Sequence, residues 1–135
     1  MLKVIFAVFL ILHGLVHLLY VGQSAGYFEL QPGMVWPAGS WVFSRLLGGG
    51  ATGVLASVLL VLAALGFVAG GVAIFAGQEW WRPLVVGTAV FSILIFILLW
   101  DGGLHHLDDQ GAVNLLINLS LLVAVLIFHW PRFEF

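Results

Sequence analysis

Apolar residues run almost unbroken through four stretches of this chain, at 2–21, 52–75, 84–100 and 111–128, and polar residues gather between them. Lys3, at the very edge of the first run, is the only charged residue inside any of the four. Each run approaches or meets the ~20 residues that a helix needs to cross a ~30 Å hydrocarbon core. With short connections, sequential helices become neighbours and the first and last close on each other. The pattern therefore predicts an all-α, polytopic integral membrane protein: an antiparallel four-helix bundle of transmembrane helices, with residues 1–135 as one membrane domain.

The connection at 22–50 is longer than the others and reads as structured. Gly26, Pro32-Gly33, Pro37 and Gly39-Ser40 punctuate it. Ser40 has the chemistry of an N-cap, 41–47 reads as a short apolar helix, and Gly48 suits its C-terminus. Trp41, Val42, Phe43, Leu46 and Leu47 would lay this short helix on the membrane interface or over the mouth of the bundle. In the second run, Gly66 and Gly70 form the G-x-x-x-G spacing within a stripe of Ala56, Ala63, Ala73 and Gly77, which lets helix backbones approach closely. Packing inside the bundle is the expected use of that stripe. Pro83 is expected at the first position of the third helix.

Composition agrees with a membrane class: 63% of residues are hydrophobic, 7% are charged, and the mean hydropathy is +1.20. The absence of Cys excludes disulfide-relay chemistry, iron–sulfur clusters and thiolate metal sites. A net charge of −2 with no basic patch excludes nucleic acid as a partner. The first run carries two histidines, is long for a signal peptide, and is followed by a poor cleavage site at Ser24-Ala25, so it reads as a retained span. Lys3, Arg82 and Arg132 fall on one side of the predicted topology and Arg45 on the other. The positive-inside rule then places both termini in the cytoplasm, with the expected location a bacterial inner membrane. Trp80, Trp81 and Trp130 would anchor the inner interface, and Trp36, Trp41 and Trp100 the outer one.

Polar residues within the spans are few and not scattered. His13 and His17 stand at i and i+4 on the first helix, continued along the same face by Tyr20 and Ser24. Asn114 and Asn118 repeat the spacing on the fourth. Just beyond the third span comes the densest polar stretch, with Asp101, His105, His106, Asp108, Asp109 and Gln110. Ionisable groups inside a membrane usually face the protein interior or a cavity. The bland reading is that the histidines hydrogen-bond to Asn114 and Asn118 and join the first and last helices.

The functional reading is a pocket opening to the outer side, with His13, His17, Asn114, Asn118 and Arg45 as its candidate residues. Paired imidazoles on one helix face can chelate a metal, and His17, Asp101, His105, His106 and Asp108 are the candidate ligands. A haem held by histidine, or a quinone-like ligand, is equally compatible with these residue types. Two other classes compete: a non-catalytic membrane subunit or assembly factor, and a component of a small oligomeric transporter. Transport needs a polar path through the inner half, where Thr88 and Ser92 are nearly the sole candidates. The expected partners are the lipid bilayer and either further copies of the chain or a larger membrane complex. Four spans in a short chain is a plan shared with several bacterial groups. The embedded acid of small multidrug transporters and the cysteines of thiol oxidoreductases are both missing, so no family is assigned.

Overall fold

The structure is a computed structural model that describes residues 1–30, 36–37, 39–103 and 111–135. Among these residues every regular element is helical and there is no strand. Helices α1 (Leu2–Ser24), α2 (Phe43–Phe75) and α3 (Trp81–Leu99) are each long and apolar enough to cross a membrane. The fourth, α4 (Ala112–Leu122), continues into a π-helical turn at Val123–Ile127. At ~1.5 Å per residue, Ala112–Ile127 reaches at most roughly 24 Å, short of a ~30 Å core. All four helices expose large apolar side chains such as Leu12, Leu62, Leu94 and Leu116. Water would penalise such a surface and lipid does not.

Close packing explains the glycines. A Cβ on Gly71 would stand 2.7 Å from the Ala7 carbonyl oxygen, and one on Gly14 would stand 2.8 Å from that of Ala64, so α1 and α2 approach backbone to backbone. A Cβ on Gly66 would meet Thr88, and one on Gly70 would meet Val85, both on α3. The small-residue stripe thus serves two neighbours: Gly66 and Gly70 seat α3, while Ala64 and Gly71 seat α1. Helix α3 begins at Trp81, which puts Pro83 third instead of first. That position is tolerated because the first-turn N–H groups have no intrahelical acceptor to lose.

The 22–50 connection does not rest loosely on a surface. Its short helix starts at Phe43 and is separated from the rest of α2 by Gly48, whose φ of 77° interrupts the helical backbone. The Ser40 hydroxyl accepts the Phe43 N–H and donates to the Leu98 carbonyl. Trp41 donates its indole N–H to the Ile97 carbonyl and its backbone N–H to that of Trp100, both at 2.8 Å. The carbonyls at the end of α3 would otherwise be unpaired, and the connection satisfies them.

At the opposite end, Phe6, Trp81, Trp130 and Phe133 form an aromatic cluster, with Phe6–Trp81 centroids 5.7 Å apart and Phe6–Trp130 5.8 Å apart. Arg82 donates to the Pro131 carbonyl at 2.9 Å. Both termini and the α2–α3 turn therefore meet at one end, called here the terminal end, opposite the loop end. Two of the expected interface anchors prove to be core residues, because chain segments fold over them. Trp81 lies beneath Phe133, and Trp36 is inserted against Tyr20 and Phe96.

Candidate functional site

His13 and His17 are both buried and lie on the inward face of α1. Their hydrogen bonds can be assigned by elimination. Nδ1 of His17 lies 3.0 Å from the His13 carbonyl oxygen, which can only accept, so in the neutral ring Nδ1 carries the proton. Nε2 of His17 is then an acceptor, and the Ser92 hydroxyl donates to it at 2.8 Å. Ser92 Oγ in turn accepts from Asn118 Nδ2 at 2.8 Å. Asn118 Oδ1 is left to accept from His13 Nε2–H, also at 2.8 Å. One directed chain of bonds thus joins α1, α3 and α4, and it uses both nitrogens of His17 and both polar atoms of Asn118.

Rings enclose this chain. Phe67 packs edge-on to His13 at 4.6 Å, and Phe96 lies 5.8 Å from His17. Toward the loop end, Phe96 also contacts Tyr20 at 5.1 Å and Trp36 at 6.2 Å, the last nearly parallel. Gln23 fixes Trp36 by donating to its carbonyl at 3.0 Å and accepting the Leu30 N–H at 2.7 Å. Among the described residues, aromatic side chains therefore cover the loop end of the polar cluster.

Asn114 breaks the pattern of complete pairing. It lies one helical turn from Asn118 on the same buried face of α4, only 2% exposed, yet among the described residues neither its Nδ2 nor its Oδ1 has a hydrogen-bond partner. The Trp36 indole N–H, in a residue 3% exposed, likewise has no partner among the described residues. A buried polar group left unpaired costs about 1–3 kcal/mol, so two such groups toward one end of a cluster that is otherwise paired call for an explanation.

The remaining expected residues are placed differently. Arg45 is exposed on the short helix before Gly48, and no hydrogen bond joins it to the His–Asn cluster. Asp101 is exposed beyond α3, where its Oδ1 accepts the Gly103 N–H at 2.8 Å. His105, His106, Asp108 and Asp109 lie outside the described residues. Among the described residues, no group of three or more His, Asp or Glu side chains is arranged to hold a metal ion.

Ser92 links His17 to Asn118, a role that its bare position in the third run did not reveal. The signal available was its place as an isolated polar residue in the middle of an apolar helix. Thr88, the other candidate for a polar path, donates to the Leu84 carbonyl of its own helix.

No family model, curated protein or solved structure matches this chain.

Proposed function

We propose that this chain is a multi-pass inner-membrane protein whose helices form an antiparallel four-helix bundle with cytoplasmic termini, and that it binds a small, neutral, quinone-like molecule in the outer half of the bundle. The observation that carries the reading is the Asn114 amide, buried with both its donor and its acceptor unused among the described residues. A quinone carbonyl would accept from Asn114 Nδ2 or the Trp36 indole, and a hydroquinone hydroxyl would donate to Asn114 Oδ1. One amide can therefore partner both redox forms. Tyr20, Trp36 and Phe96, packed on one another with centroids 5.1–6.2 Å apart, give the loop end of the cluster an aromatic surface against which such a ring would stack.

A metal or haem on His17 is less well supported, because ligation would break one of its two hydrogen bonds. Extraction of the purified protein with organic solvent is expected to release a quinone, and Asn114→Leu to abolish that recovery. Compared with wild type stripped of its ligand, Asn114→Leu should also be more stable by about 1–3 kcal/mol, since a stranded amide has been removed.

The closed His13–Asn118–Ser92–His17 chain favours a second reading, a non-catalytic subunit or assembly factor whose polar residues lock helices together. That reading takes precedence if no quinone is recovered and added benzoquinone binds wild type and Asn114→Leu alike.

A further inference from the structure

The seam between α1 and α4 is unlike the other helix contacts. Helix α1 packs along α2, α2 along α3 and α3 along α4, while no comparable backbone approach joins α1 to α4 among the described residues. Across the gap, His13 donates to Asn118 at 2.8 Å. Beside this tie a groove of about 530 Å³ runs to the terminal end, walled by Ile5 and Phe9 on one side and Leu116, Ile117 and Ala124 on the other, with Trp130 at its foot.

The groove and the polar cluster are neighbours, with Phe9 between them. The Phe9 ring lies face to face with the His13 ring, with centroids 5.9 Å apart and planes 5° apart. Val113 and Ile117 line the groove and immediately precede Asn114 and Asn118 in the chain. The route from the loop end is obstructed by Trp36, Tyr20 and Phe96, and by the Ser40 and Trp41 bonds to α3.

We infer that the ligand enters sideways from the bilayer through the α1–α4 seam and leaves a single hydrocarbon tail in this groove. The inference rests on the quinone-like reading of the Asn114 site and adds the tail and the route. From Val113 to Ala124 the groove follows α4 for roughly 16 Å, about half of a ~30 Å core and the reach of a chain in one leaflet. The head must be uncharged. His13 stands midway along the 23-residue α1, and drawing a phospholipid headgroup to that depth would desolvate its charges with no charged partner among the groove residues.

The test uses the full chain in nanodiscs and two probes: a benzoquinone bearing a long saturated alkyl tail, and the same ring bearing a methyl group. Binding is read from tryptophan quenching, with probe concentrations expressed per lipid. Wild type is expected to bind the tailed probe at least about tenfold more tightly, a difference of ~1.4 kcal/mol. Ala124→Phe, and independently Leu116→Phe, should erase that preference and leave the affinity for the methyl probe unchanged. Asn114→Leu should weaken both probes together. Equal wild-type affinity for the two probes, or a preference that survives both groove variants, overturns the lateral groove and leaves the Asn114 site standing. Failure of wild type to bind either probe overturns the site, and the groove with it.

Discussion

Replacing Ser92 with Ala removes one oxygen and strands two buried groups, the acceptor Nε2 of His17 and the donor Nδ2 of Asn118. Neither can reach solvent, since His17 and Asn118 are fully buried. Counted as in a soluble protein, two stranded groups at about 1–3 kcal/mol each would cost ~2–6 kcal/mol. In a membrane the unfolded reference also finds partners, and measured side-chain couplings average ~0.6 kcal/mol with a maximum near 1.7. Two broken bonds on that scale bring the expected loss to about 1–3 kcal/mol. Equilibrium unfolding in mixed micelles can measure it, with Ser120→Ala as the control. The Ser120 hydroxyl is exposed and bonds its own helix at the Leu116 carbonyl, so its removal should change stability by less than ~0.5 kcal/mol. A Ser92→Ala protein as stable as Ser120→Ala would refute the directed chain of bonds. A double-mutant cycle with His17→Ala should return a coupling of ~0.6–1.7 kcal/mol.

Gly71→Ala should destabilise by about 1–3 kcal/mol, because its Cβ would stand 2.6 Å from Ile11 and 2.7 Å from the Ala7 carbonyl oxygen. Gly87→Ala, where a Cβ meets nothing within 4 Å, should instead stabilise by roughly 0.5–1 kcal/mol, and thermal unfolding of the two variants side by side reads the contrast. For orientation, the cysteine-free chain allows single cysteines at the exposed Tyr27 and Gln78. An impermeant thiol reagent added to whole cells should label Tyr27→Cys and not Gln78→Cys, and the opposite pattern would reverse the proposed topology.

Helix class, and three helices long and apolar enough to cross a membrane, were legible from pattern alone, because crossing hydrocarbon imposes a length and an apolar content that few other structures require. The four-residue spacing also showed that His13 with His17, and Asn114 with Asn118, share helix faces, since 3.6 residues per turn dictates it. Spacing does not say how far one helix slides along another, and that offset decides which polar atoms meet. At ~1.5 Å per residue, a shift of one turn would exchange the roles of Asn114 and Asn118. The tertiary structure pairs Asn118 with His13 and Ser92 and leaves Asn114 without a partner among the described residues. The same dependence on rotation and offset hid Ser92, which looked like an isolated hydroxyl until α3 brought it between His17 and Asn118. Trp36 and Trp81 have the chemistry of interface anchors, and the chain folding over them makes them core. Local pattern determines what each helix can bury. Which groups it buries together is a property of the register between helices, set by long-range contacts that no window of sequence contains.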